Sequence, residues 1–168
     1  MTAARFLLCA LLVLPAGAVR ALPTDKDQPI SVEADKLEIR DAEKISIYEG
    51  NVHLVQGSLE ITSERMVIHF NDADELEMME MTGAPARFRQ LDDQREEMIG
   101  EARQINYLES ESMLELIEEA SFSRAGDSIE SNRIRINTEN NSIQAGDAQT
   151  DERVKMLIQP RQKPANPE

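Results

Sequence analysis

Four copies of one short phrase run through the sequence, and they constrain its fold more tightly than any other feature. Val32, Ala34, Lys36, Leu37 and Ile39 are followed by Ile61, Ser63, Arg65, Met66 and Ile68. Gly100, Ala102, Gln104, Ile105 and Tyr107 come next, then Ile129, Ser131, Arg133, Ile134 and Ile136. Each copy has a small residue two places in, a long polar residue two places later, and two apolar residues separated by one other, which is polar in all copies but the second. The small residues stand 29, 39 and 29 positions apart, a period that marks stacked supersecondary units. Between the phrases lies a second recurring element: Ile45, Ile47, Val52 and Leu54; then Met79, Met81, Ala86 and Phe88; then Leu114, Leu116, Ala120 and Phe122. Apolar residues alternate in both, the period of a strand with one buried face. A pair of such strands cannot cover its own apolar face. The units therefore have to stack into one elongated, all-β, antiparallel core.

Turn chemistry punctuates the runs at Glu49-Gly50-Asn51, Gln56-Gly57-Ser58, Gly83-Ala84-Pro85 and Gly126-Asp127, leaving strand-sized segments between them. Two segments rich in Glu, Leu and Met, 74–81 and 110–119, have helical propensity. Their apolar residues nevertheless alternate and occupy the repeat position of Ile45 and Ile47, so strands are expected there.

Residues 1–21 read as a secretory signal peptide: Arg5, an apolar run from Phe6 to Leu14, then small residues with cleavage after Ala18 or Ala21. The run is too short to cross a bilayer as a helix, which takes about 20 residues. Cys9 lies inside it, so the mature chain has no cysteine and must be stabilised by packing alone. Residues 22–28 form a flexible lead-in, 29–159 the β domain and 160–168 a disordered tail. The net charge is −14, and removing a leader that holds Arg5 and Arg20 but no acid makes it more negative still. Nucleic acid is excluded as a partner. Acidity on an open-edged β protein serves solubility and discourages self-pairing.

No catalytic constellation emerges, and no enzyme activity is expected. His53 and His69 fall on the solvent side of their strands, with no further ligand at metal-binding spacing, and no cofactor is implied. The informative feature is the aliphatic inner face. Ile30, Val32, Ile39, Ile47, Leu54, Ile61, Ile68, Phe88, Ile105, Phe122, Ile134 and Ile136 make either a filled core or the lining of a trough suited to acyl chains. The terminal strands, carrying Ile30 and Val32 at one end and Val154, Met156 and Ile158 at the other, have no following unit. They are expected to be free edges open to strand addition by a partner.

Several stretches resemble the LptA/OstA-like family of lipopolysaccharide-transport proteins. These are residues 25–30, Ala34-Asp35-Lys36, the run from Tyr48 through Glu49-Gly50-Asn51-Val52 to Gly57, the run from Gly83-Ala84-Pro85 to Gln90, and Gly100-Glu101-Ala102 leading to Tyr107. The sequence departs from the pattern at Gly100, at Gln104 and at Glu118-Glu119, which replaces the Gly-Asn pair. The resemblance implies a V-shaped, open β-jellyroll in the periplasm that shields the acyl chains of lipopolysaccharide (lipid A). It implies head-to-tail homo-oligomers and docking to an inner-membrane LptC-type and an outer-membrane LptD-type protein. It places Lys26 near the headgroup and Ile30, Val32 and Phe88 near the acyl chains. An LptC-type anchored component and a structural β adaptor that binds no lipid are the alternatives.

Overall fold

The structure is a computed structural model that describes residues 25–92, 94–147 and 151–160, with Lys26 described by its backbone only. The signal peptide and its cleavage positions, the Lys26 side chain and residues 161–168 of the tail lie outside the described residues. Ten strands form one antiparallel sheet: β1 (Ser31–Glu33), β2 (Lys36–Arg40), β3 (Ile45–Gln56), β4 (Leu59–Phe70), β5 (Leu76–Leu91), β6 (Glu97–Leu108), β7 (Met113–Arg124), β8 (Asp127–Asn137), β9 (Ile143–Ala145) and β10 (Lys155–Leu157). Six long strands meander from β3 to β8. The short strands β1 and β2 both pair with β3 at one edge, and β9 and β10 both pair with β8 at the other. The segments with helical propensity are strands, as alternation requires, apart from a single 3-10 turn at Glu109–Glu111.

Each hairpin register slips in mid-strand: between Glu49 and Val52, Thr62 and Arg65, Thr82 and Ala86, Glu101 and Gln104, and Ile117 and Ala120. These bulges fall in line and crease the sheet into two arms. One arm holds β1, β10 and the halves of β3 to β8 that run 52–56, 59–63, 86–91, 97–102, 120–124 and 127–131. The other holds β2, β9 and the remaining halves. A sheet with a single apolar face and no second sheet can only cover that face with itself. The two arms accordingly share one core, from Leu54, Phe88 and Phe122 on one side to Met66, Ile105 and Leu116 on the other.

The crease accounts for the sequence repeat. Strands β4, β6 and β8, and β1 with β2, each carry one phrase across it. The small residues Ser63, Ala102 and Ser131 are buried at the crossing, where the arms come closest and a larger side chain has no room. It also corrects two of the turn assignments. Glu49-Gly50-Asn51 and Gly83-Ala84-Pro85 are not hairpin loops but interruptions inside β3 and β5. Gly50 and Asn51 both have positive φ, 79° and 47°, which re-aims the strand without ending it.

In β7 the equivalent pair is Glu118 and Glu119, at φ 62° and 53°. A left-handed conformation costs a residue with a Cβ about 1 kcal/mol or more. Replacing the pair by Gly-Asn, as in β3, is therefore expected to stabilise the fold by about 1 kcal/mol, readable as a raised urea midpoint at unchanged m-value. Loss of the Arg103–Glu119 ion pair, 3.0 Å on an exposed surface, subtracts little from that gain.

The lead-in is pinned from Asp25 onward. Asp25 opens a 3-10 turn, and its carboxylate accepts the Ser58 N–H at 2.8 Å, the Ser58 hydroxyl at 2.6 Å and the Gln90 amide at 3.0 Å. Burial pushes this carboxyl up, but those donors outweigh it and hold the group below the usual aspartate range. The stabilisation is complete above about pH 4 and is lost as pH falls through the lower folded value. The Tm difference between the parent and Asp25→Asn is expected to be present at pH 6 and to shrink toward zero as the pH is lowered past that value.

Candidate functional site

Following the strand register from edge to edge resolves the inner face into three continuous rows, apolar apart from Ser46. On the first arm the row is Val32, Leu54, Ile61, Phe88, Gly100, Phe122, Ile129 and Met156. On the second arm one row is Leu37, Tyr48, Met66, Met81, Ile105, Leu116, Ile134 and Ala145. The other is Ile39, Ser46, Ile68, Met79, Tyr107, Leu114, Ile136 and Ile143. Neighbouring strands lie about 4.8 Å apart, so a row of eight strands gives an apolar track more than about 30 Å long. Carboxylates, lysines and arginines are absent from all three rows. The phenol of Tyr107 is pushed up to about 12 by burial, with Glu109 adding to the effect, and stays neutral.

Gly100 is the departure in the third phrase, and the first row explains it. It stands between Phe88 and Phe122, and a Cβ there would lie 2.0 Å from the Phe88 ring. The missing side chain lets two rings from next-nearest strands meet, with centroids 6.4 Å apart and planes 27° from parallel. Gly100→Ala is expected to force that pair apart and cost about 1–3 kcal/mol, measured by chemical denaturation.

The predicted lining residues divide by position. Leu54, Ile61, Ile68, Phe88, Ile105, Phe122, Ile134 and Ile136 lie on the three rows at 8% exposure or less, so the middle of the site is closed and filled. Val32 is half-buried at the first edge. Ile39 is 61% exposed there, and Ile30, just before β1, is 54% exposed. Ile47 is a correction. It pairs with Val67, whose neighbours Met66 and Ile68 are both in the core, so Ile47 and Val67 point to the opposite face of the sheet. Tyr48 and Ser46 take the inner positions that alternation had given to Ile47 and Ile45. The edge residues Val154, Met156 and Ile158 are 44%, 59% and 66% exposed, on β10 and its flanks.

The closed centre opens at both edges. At the first, Leu37 and Ile39 present half-bare aliphatic surface on β2. At the second, a cavity of about 370 Å³ lies between the arms, floored by Phe122, Ile129, Ile143 and Met156 and rimmed by Gln94, Glu96, Arg124, Ala125 and Asp127. Ile143 and Arg124 escaped the sequence reading. Ile143 sits in a three-residue strand with no room for alternation to show, and Arg124 looks like an ordinary hairpin residue. The outer faces carry charge: Arg65–Glu49 at 3.6 Å, Arg135–Glu115 at 2.6 Å, Lys155–Glu130 at 3.6 Å, and Arg89–Glu97. His53 and His69 are on that side too, 3.0 Å from Glu60 and 3.3 Å from Glu80. Apolar inside and charged outside, the creased sheet closes on a filled core and leaves aliphatic side chains bare at both edges.

Residues 31–142 match the family described as LptA/(LptD N-terminal domain) LPS transport protein. The chain belongs to this family. It is 28% identical over 150 residues to the lipopolysaccharide export system protein LptH of Pseudomonas aeruginosa, covering 85% of this chain and 86% of that one. It is 26% identical over 133 residues to the lipopolysaccharide export system protein LptA of Escherichia coli, covering 79% and 70%. The crystal structure of LptH, the LptA-homologous periplasmic component of the lipopolysaccharide transport device of P. aeruginosa, superposes with a TM-score of 0.75 at 27% identity, over 82% of this chain and all of that one. Membership in this family accounts for the open antiparallel sheet.

Proposed function

We propose that this protein binds lipopolysaccharide in the periplasm, holds its acyl chains between the two arms, and carries them toward the outer membrane as one segment of a bridge. The observation that carries this reading is the set of charge-free, largely apolar rows, the first ending bare at Met156 on one edge and the other two at Leu37 and Ile39 on the opposite edge. A lipid in water costs about 0.8 kcal/mol for each exposed methylene. Three parallel tracks without a buried charge remove that cost along the path. The centre is filled in the closed state, so entry of a chain requires the arms to part along the crease, where small residues leave little to unpack. Methionines Met66, Met79 and Met81 give the second arm an adaptable lining that can repack around an acyl chain. The two edges differ, β1 with β2 against β9 with β10, and so an end-to-end contact between copies, or with LptC-type and LptD-type partners of like fold, stays open rather than closing into a ring.

A second reading has one observation in its favour. The central residues are fully buried, as they would be in a structural adaptor that binds no lipid. Environment-sensitive dyes separate the two. The mature chain has no native cysteine, so single labels on Ile39→Cys and Met156→Cys report the two openings, and Arg135→Cys reports the outer face. Lipopolysaccharide is expected to shift the emission of both opening labels to the blue in a saturable manner and to leave the outer label unchanged. Equal response at all three positions, or none, would replace the trough with the adaptor.

A further inference from the structure

The cavity between β7, β8, β9 and β10 combines an apolar floor with a single guanidinium on its rim, that of Arg124. This side chain is 30% exposed, and its Nη2 lies 2.6 Å from Oδ2 of Asp92, which is itself only 5% exposed. The pairing is one-sided. Oδ1 of Asp92 accepts the backbone N–H groups of Gln94 and Glu96, both at 2.8 Å, which anchors the carboxylate to the loop, while the buried Oδ2 faces the arginine. A guanidinium carries five N–H donors in a planar fork that matches an oxyanion. Asp127, also on the rim, has one carboxylate oxygen engaged by the Gln159 N–H at 2.9 Å. A volume of about 370 Å³ is within the range of small-ligand sites.

We propose that this cavity is a headgroup site, in which Arg124 turns from Asp92 to bind the phosphate of an acyl-bearing amphiphile while Phe122, Ile129, Ile143 and Met156 receive the start of its chain. The inference rests on the lipid-binding reading above and deepens it, since it shows how a strongly acidic protein can accept an anionic lipid. Asp92 acts as a placeholder. It keeps Arg124 neutralised when no lipid is present, and the Gln94 and Glu96 N–H groups keep its other oxygen in place when the arginine turns. Glu96 and Asp127 on the rim disfavour free phosphate, so an apolar chain is needed to bring the anion in.

The test titrates the full mature protein with dodecyl phosphate, laurate and dodecyl maltoside below their micellar concentrations. Binding is followed by calorimetry and by the methyl resonance of Met156 in a methionine-labelled sample. Dodecyl phosphate is expected to bind at least about tenfold more tightly than the neutral-headed maltoside, and to shift the Met156 signal. Arg124→Gln should bring phosphate and maltoside to the same affinity, Arg124→Lys should keep part of the preference as a point charge, and Asp92→Asn should raise it. A wild-type protein that binds phosphate and maltoside equally, that prefers laurate, or whose preference survives Arg124→Gln would overturn the assignment. If the dye on Ile39→Cys still responds to lipopolysaccharide in that case, only the headgroup site has failed. If it does not respond either, the lipid-binding reading has failed with it.

Discussion

Phe88→Asp is expected to unfold this protein rather than merely weaken a binding site. Phe88 is 4% exposed, stacks on Phe122 and fills the space above Gly100. Deleting a buried ring costs about 3–5 kcal/mol, and a carboxylate left in its place adds a charge with no partner. A domain of this size is stable by roughly 5–15 kcal/mol, so most of that margin goes. A fall in Tm of more than about 10 °C, or no cooperative transition at all, is the expected result in a calorimetric scan. Ile39→Asp carries the same charge into the same inner face but at a position already 61% exposed. Its Tm should stay within about 2 °C of the parent while lipopolysaccharide affinity falls. A Phe88→Asp protein that melted like the parent would mean that the arms stand apart in solution and that the ring lines open space.

That contrast marks how far the sequence carried the description. The inner face could be read almost residue by residue, because period-2 alternation is a direct consequence of strand geometry and the repeat supplied it four times over. Whether Phe88 or Ile61 faces lipid or other side chains is a different kind of question, since a trough and a closed core have the same alternation. Burial decides it, and burial depends on how far the crease folds. The crease was visible only as an anomaly: Gly50-Asn51 and Gly83-Ala84-Pro85 have the composition of hairpin turns, and no local rule separates a turn that reverses a strand from a bulge that bends one. The same ambiguity misplaced Ile47. Ile45 and Ile47 are the more apolar pair in that stretch, but passage through the bulge keeps Val52 and Leu54 in phase with Tyr48 and Ser46. Gly100 shows the opposite case, in which a break in the repeat was legible but its cause, two rings meeting across a strand, required three-dimensional neighbours.

Deleting the chain from Arg153 onward is expected to abolish end-to-end association while leaving most of the β spectrum in place. β10 pairs only with Ser128–Glu130 of β8, and the hydrophobic positions on and around it, Val154, Met156, Leu157 and Ile158, are between 44% and 66% exposed. Such a strand adds little to the core, so its loss costs the monomer little beyond a three-residue ladder, the Met156 contact, the exposed Lys155–Glu130 ion pair and the Gln159 N–H bond to Asp127. In the proposed bridge the same strand would be the landing site of an incoming molecule. Among the described residues the strand's outer backbone edge is unpaired, and it carries apolar side chains on both faces, matched by the bare Ile30, Leu37 and Ile39 at the opposite end of the next copy. Joining the two edges would continue the first-arm row from Met156 of one molecule to Val32 of the next, so assembly and the lipid path are a single structure. Sedimentation should show the parent growing with concentration and the truncated chain remaining a monomer. A synthetic peptide of residues 153–160 should shorten the parent's assemblies by occupying the first edge. Truncated protein that still lengthened with concentration would place the contact elsewhere on the molecule, and the continuous row could then no longer run between copies.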